Sequence, residues 1–291
     1  MTDETASAIV DTAWLTGVRY FDTAPHYGLG LSERRLGAAL QDRPRDEYVL
    51  STKVGRLLEE NPAYAGERDT DGFDVPATLV RRRDYSRDGV LRSLESSMDR
   101  LNADRIDIAF VHDAEDHVEE ALSGAIPALI ELRDQGVLQG IGLGMNFDRI
   151  LAEFVRRSDV DTVMIAGRYT LLEQPALDEL LPLCEERGVR VMAAGVFNSG
   201  ILATPTPGTT YNYKEAPAEL VAKAQRIADV CADFGVDLPT AAIAMPTRHP
   251  AVEAVVLGAS SVRQVESNAT RAATDIPPEL WQTLTEEGLL R

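Results

Sequence analysis

Short runs of β-branched and aliphatic residues alternate along this chain with longer segments in which apolar positions recur every three or four residues. The short runs predict strands over 18–23, 48–53, 106–111, 140–144, 162–166, 189–194 and 252–257. The longer segments predict helices near 4–16, 31–41, 86–102, 118–135, 148–158, 174–187, 217–235 and 261–272, with a short one after Pro239 and another in the tail PPELWQTLTEEGLL, where Trp281 reads as packing. Helices that end in Gly and run straight into the next strand, as in ERGVRV and DQGVLQGIGLG, carry the capping chemistry of a helix-to-strand turn. Strand–helix alternation of this kind winds a parallel sheet. The expectation is an α/β fold, a (β/α)8 TIM-type barrel in one domain over 1–291. Because the first helix has no strand before it, the barrel is expected to lack its first strand. A missing strand would leave unpaired sheet edges, so a late start of the recorded sequence is the expected cause.

Two connections are long, 56–85 and 198–216, and both follow strands, so they are expected to overhang the C-terminal rim as lids or binding loops. Polar residues stand at the ends of three successive strands: Asp22 and Tyr27, then Lys53, then His112. In a barrel that rim is where side chains from different strands converge. The set has a chemical logic. A phenol with a pKa near ~10 exchanges protons poorly at neutral pH, and a neighbouring ammonium favours its ionised form. Tyr27 would be a general acid or base, Lys53 its tuner, Asp22 the partner that keeps Lys53 charged, and His112 the group that orients a substrate oxygen. Taken singly, Asp22 reads better as a helix or turn cap, and Tyr27 could be a wall residue and His112 a buried, satisfied imidazole. Lys53 at a strand end also suits a Schiff-base enzyme.

Composition narrows the partners. A formal net charge of −18, with 47 acidic against 29 basic residues, disfavours nucleic acid and anionic membranes. Only three of the basic residues are lysines, Lys53, Lys214 and Lys223, which makes one at a strand end conspicuous. Cys184 and Cys231 lie far apart and suggest neither a disulfide framework nor a metal site. The acidic start MTDETASAIV lacks the basic and apolar regions of a signal peptide, and no apolar run is long enough to span a membrane. A cytoplasmic protein, monomer or homodimer, acting on a small molecule is expected.

The strings GVRYFDTAPHYG, GLSERRLGAAL, STKVG, DYSRDGVLRSLESSMDRL and IDIAFVHD resemble the aldo-keto reductase superfamily. The likeness continues through GLGMNF, AGRYTLLEQPALDELLPLC, VFNSGIL, YNYKEAP and LGASSVRQVESN, and so spans nearly the whole chain. Within the superfamily it is nearest the bacterial L-fucose and D-threo-aldose 1-dehydrogenases, with relatives acting on L-galactose or pyridoxal. The resemblance implies that Asp22, Tyr27, Lys53 and His112 are the catalytic tetrad. It implies a nicotinamide dinucleotide held by Asn146 at the carboxamide, by Phe197, Asn198, Ser199 and Gly200 over the pyrophosphate, and by Gly258, Ala259, Ser260, Gln264 and Asn268 at the adenosine end. Many NADP-preferring relatives have Arg or Lys where Ser260 stands, which favours NAD, although Arg263 is near. Ala166 and Ala194 replace a common Gln and a common aromatic as features of the subgroup, and the missing strand is one that relatives have. Substrate choice is expected to fall to His26, Arg168, the 56–85 connection and the segment after Asp113.

The implied activity is oxidation of an aldose at its anomeric carbon to the lactone with NAD or NADP. The alternatives are an NAD(P)H-dependent aldehyde or ketone reductase of pyridoxal type, and a cofactor-binding regulatory barrel with little turnover.

Overall fold

The computed structural model describes residues 1–212 and 214–291, so residue 213, inside YNYKEAP, lies outside the described residues. Eleven strands are present among them: β1 (Tyr20–Asp22), β2 (Val49–Val54), β3 (Arg56–Glu60), β4 (Leu79–Arg83), β5 (Ile108–His112), β6 (Gly140–Met145), β7 (Thr162–Ala166), β8 (Arg190–Ala194), β9 (Thr210–Tyr211), β10 (Lys214–Glu215) and β11 (Val252–Val256). Seven of these, in the order β1-β2-β5-β6-β7-β8-β11, make the main sheet, in agreement with the seven strands expected. Each keeps chain order because a helical crossover returns the chain to the same sheet edge.

The chain divides into two compact units. The first comprises Met1–Met145, Phe154–Val163 and Ala259–Val262, and the second Asn146–Glu153, Met164–Gly258 and Arg263–Arg291. In the first unit β1, β2, β5 and β6 pair in parallel, with Phe21 opposite Leu50, Thr52 opposite Ala109 and Phe110 opposite Gly142. Of these, β2, β5 and β6 are buried along nearly their whole length, as expected of strands covered on both faces. Gly142 has a backbone reason to be glycine, since a Cβ there would lie 2.0 Å from the Thr162 carbonyl oxygen. In the second unit β8 and β11 pair in parallel, with a register shift between Val252 and Ala254.

Helix boundaries follow local chemistry. The helix α1 (Asp3–Leu15) starts where the Thr2 hydroxyl accepts from the Thr5 amide at 3.2 Å, with Asp3 and Glu4 in its first turn. The helix α2 (Leu31–Leu40) packs on α3 (Arg87–Leu101), which Ser86 caps at one end and left-handed Asn102 at the other. The segment expected as one helix over 118–135 is helical throughout but widens to a π turn at 121–125. Pro127 lacks an amide hydrogen and so leaves a regular i to i−4 ladder without a donor there. The 174–187 segment is likewise divided, into a single turn at Pro175–Leu177 and a helix at Leu180–Arg187. The tail forms a helix at Pro278–Glu286, and Trp281 packs under the Arg248 guanidinium. No helix among the described residues is long and apolar enough to cross a membrane.

Both long connections carry structure that the sequence pattern did not reveal. The 56–85 segment is an antiparallel hairpin of β3 and β4 with Arg56 opposite Arg83 and Glu60 opposite Leu79. Its pairing rests partly on charge, as between Arg82 and Glu59 at 2.6 Å, so it lacks the apolar alternation that marks a half-buried strand. The 198–216 segment contains the short hairpin β9–β10.

Candidate active site

Asp22 ends β1 and pairs in register with Ser51 of β2. Lys53 lies two residues past Ser51, on the same strand face, and its partner on β5 is Phe110. His112 lies two residues past Phe110 and ends β5. The same two-residue step from strand to strand therefore aligns Asp22, Lys53 and His112 on one face at the C-terminal rim of the first unit. Tyr27 arrives from the turn after β1, which coils through three consecutive left-handed residues, Gly28, Leu29 and Gly30. Glycine suits two of them, and burial of the Leu29 side chain holds the third.

The four side chains meet. The Lys53 ammonium donates to Asp22 Oδ2 at 2.6 Å and to the Thr23 carbonyl at 2.9 Å, and it sits 4.7 Å from the centre of the Tyr27 ring. The second Asp22 oxygen accepts from the Ser51 hydroxyl at 2.6 Å. The Tyr27 and His112 rings meet edge to face with centroids 5.9 Å apart. With the Lys53 and Asp22 side chains only 2% and 6% exposed, each charge depends on the other for compensation.

The charges are set by these surroundings. Burial lowers the Lys53 pKa most, but Asp22 and Tyr27 together outweigh it and hold it above its ordinary value. Burial pushes the Tyr27 phenol up; Lys53 opposes that rise and Asp22 adds to it. The expectation that Lys53 favours the phenolate is thus right in direction, but burial is the larger influence. His112 is held well below its ordinary pKa by burial, then by the Lys53 and Arg56 charges, and is neutral at pH 7. Its Nδ1 is buried and without a partner among the described residues.

Around this cluster stand residues that the pattern of the sequence did not single out. Tyr85, fully buried, donates to the carbonyls of both His112 and Asp113 at 2.8 Å. Asp113 itself has a left-handed backbone, with φ of 44°. Arg56 of the hairpin pairs with Asp113 and reaches His26 Nδ1 at 3.3 Å. Phe73, in the hairpin's long turn, meets His26 edge to face with centroids 5.2 Å apart and lies 6.2 Å from Tyr27. Arg81 donates to the His26 carbonyl at 3.0 Å and pairs with Asp69. His26, expected to touch substrate, lies beside both Tyr27 and His112, at 6.0 and 5.6 Å between ring centroids. For Arg56, Phe73, Arg81 and Tyr85 the advance signal was the length of the connection that carries them, whereas His26 and the segment after Asp113 are among the positions expected to choose the substrate.

The remaining expected contacts lie chiefly in the second unit. Asn146 offers its carbonyl to Arg168 Nε at 3.1 Å. Arg168 also donates to the Gly167 carbonyl, Glu173 Oε1 and Asn212 Oδ1, so its guanidinium fastens this segment together. Glu173 Oε1 in turn accepts from Asn198 Nδ2 at 3.2 Å and the Tyr211 hydroxyl at 2.7 Å. Phe197, Asn198, Ser199 and Gly200 form a tight turn after β8, with Asn198, Ser199 and Gly200 all left-handed. Asn198 Oδ1 is buried with no partner among the described residues. Gly258, Ala259 and Ser260 lead from β11 to the helix Val262–Ala272, which carries Gln264 and Asn268. A Cβ at Gly258, four residues before that helix begins, would meet nothing within 4 Å. Among the described residues no cluster of His, Cys, Asp and Glu is placed to hold a metal.

The family model of the aldo/keto reductase family matches residues 1–287. The chain is 47% identical to D-threo-aldose 1-dehydrogenase of a Pseudomonas species, over 100% of this chain and 90% of that protein. It is 40% identical to pyridoxal 4-dehydrogenase of Microbacterium luteolum, over 98% of this chain and 88% of that protein. The holo form of an aldo-keto reductase from Bacillus halodurans superposes with a TM-score of 0.77 and 26% identity, over 100% of this chain and 88% of the other. The chain therefore belongs to the aldo-keto reductase family, with that family's (β/α)8-type fold, and is an oxidoreductase acting on a small molecule with a nicotinamide dinucleotide.

Proposed function

We propose that this enzyme oxidises an aldose at its anomeric carbon to the lactone, with Tyr27, Lys53, Asp22 and His112 as the working residues. The observation that carries the reading is the buried Asp22–Lys53 pair set beneath the Tyr27 ring and beside a neutral His112. The likeness to a D-threo-aldose 1-dehydrogenase supports the substrate class.

A nicotinamide dinucleotide, when bound, would supply the hydride exchange at the reacting carbon, and the chain's own side chains would do the rest. Neutral His112 donates a hydrogen bond to the substrate oxygen and fixes its position. Tyr27 holds or takes the proton on that oxygen. As a neutral phenol it is a ready acid for carbonyl reduction, while oxidation needs the phenolate that Lys53 favours. Oxidation should accordingly quicken as pH rises. Asn146, the Phe197–Gly200 turn and the Gly258–Asn268 segment would hold the cofactor. Ser260 in place of a cationic side chain favours NAD over NADP, since a 2′-phosphate calls for such a partner.

The test is NADH absorbance with NAD and a panel of L-fucose, L-galactose, D-arabinose and pyridoxal, repeated with NADP. Sugar-dependent NADH formation that falls about 10²- to 10⁴-fold in Tyr27→Phe supports the reading. Turnover of pyridoxal alone would move the assignment to the second relative's chemistry, and cofactor binding without any turnover would make the protein a nucleotide-binding module.

A further inference from the structure

We infer that Asp113 and Arg56 read the hydroxyl on the carbon next to the reacting one, so that the site selects 2-hydroxylated aldehydes and aldoses over plain carbonyl compounds. The inference rests on the aldose reading and adds the residues that recognise the sugar.

Asp113 Oδ2 lies 3.6 Å from His112 Nε2. If His112 donates to the oxygen on the reacting carbon, an acceptor that close to the donor is where the neighbouring hydroxyl comes to rest. Asp113 is also fixed in place. Its backbone stays left-handed while the buried Tyr85 hydroxyl clasps the carbonyls on both sides of the His112–Asp113 peptide's second residue. A positioned carboxylate loses little freedom when it accepts a hydrogen bond.

The polar surroundings of Asp113 are crowded. Arg56 Nε is a buried donor and Glu115 Oε2 a buried acceptor, and neither has a partner among the described residues. Glu115 acts electrostatically on both Asp113 and Tyr85, which places it in the same neighbourhood. Those Arg56 and Glu115 atoms are closed to solvent, so the group within a ligand's reach is the Asp113 carboxylate, whose side chain keeps 26% of its surface exposed and can accept from a hydroxyl. The surrounding charges do not sum to a positive one: Arg56 is paired with Asp113, Arg81 faces both Asp69 and Asp71, Arg83 is countered by Glu115, and His26 is neutral at pH 7. No net positive charge is left there to draw an acidic substrate. Phe73, against His26 and Tyr27, adds an apolar face for the C–H side of a sugar ring.

The test compares kcat/KM for a sugar turned over in the panel with that for its 2-deoxy counterpart, in the wild type, Asp113→Asn and Asp113→Gly. Both replacements tolerate a left-handed backbone, and an NADH fluorescence titration establishes that each variant still binds cofactor. Wild type should favour the 2-hydroxylated sugar by about 10-fold or more, and the variants should bring that ratio to within about 3-fold of unity. Equal rates on the two sugars in the wild type overturn the inference. So does a ratio that survives both substitutions, because another group is then reading the hydroxyl. Failure to turn over any sugar is a different result: it defeats the aldose reading itself.

Discussion

Replacing Lys53 with Met removes the only cation hydrogen-bonded to Asp22 among the described residues. The Asp22 side chain is 6% exposed and would keep one strong partner, the Ser51 hydroxyl at 2.6 Å, so its carboxylate would stay buried without compensating charge. Breaking a buried pair from one side costs about 3–5 kcal/mol. Loss of the donor to the Thr23 carbonyl adds to this, while the apolar stem of Met refills most of the volume. For a chain of this size about 2 °C per kcal/mol gives a fall in Tm of roughly 6–10 °C. Removing both charges in Asp22→Leu/Lys53→Met leaves no uncompensated buried charge, only the lost hydrogen bonds to Thr23 and Ser51, and should recover most of that loss. Differential scanning fluorimetry of the wild type, both single variants and the double variant closes the cycle. The reasoning is refuted if Lys53→Met melts within about 1 °C of the wild type, or if the double variant is no more stable than Lys53→Met.

Three further outcomes follow from the same geometry. The Lys53 ammonium opposes the burial that raises the Tyr27 pKa, so Lys53→Met should move the alkaline rise in oxidation rate to higher pH, whereas Lys53→Arg should move it less; pH profiles of kcat/KM decide this. Burial first, then Arg56 and Arg81, depress His26 to about 4, so an NMR titration should find it neutral at pH 6; because its folded pKa lies below the unfolded value, its contribution to stability is full above about 6.5 and is lost as pH falls through about 4, the direction an acid denaturation series in His26→Gln should attenuate. A Cβ at Gly37 would lie 2.0 Å from the Leu101 carbonyl oxygen, where α2 crosses the end of α3, so Gly37→Ala should cost about 1–3 kcal/mol in urea melts despite the better helix propensity of Ala; a neutral or stabilising result would mean that the two helices can part without loss.

The strand and helix alternation was readable because buried parallel strands and amphipathic helices carry strong, opposite periodicities. The main-sheet strands begin and end within a residue or two of the expected positions, as at Thr162–Ala166 and Gly140–Met145. The hairpin β3–β4 was not readable. RLLEE and LVRRR pair partly through ions, and nothing in a run of charges distinguishes a ladder of side-chain pairs from a solvated loop. The π turn at 121–125 was hidden for a different reason, since a single proline inside an apolar helical pattern leaves the periodicity almost intact.

The same contrast explains the site. Asp22, Lys53 and His112 were visible because each ends an apolar run, and parallel register converts three such ends into one face through a repeated two-residue step, from Asp22 and Ser51 to Lys53 and from Phe110 to His112. That conversion needs only the pleat and the pairing, both local rules. Arg56, Phe73, Arg81 and Tyr85 reach the same place from a long excursion whose path depends on tertiary contacts, such as Arg81 to the His26 carbonyl and Tyr85 to the His112 carbonyl. On the proposed reading, the acid–base chemistry would rest on three strand-end residues, whose positions backbone rules fix tightly, and on Tyr27 from the turn after β1. On the same reading, the contacts that would tell one sugar from another would come from the hairpin and from the left-handed residue after His112. Substitutions that change substrate choice without loss of proton transfer should accordingly fall at Phe73, Arg56 and Asp113, while those at Asp22, Lys53 or Tyr27 should lower turnover of every substrate together.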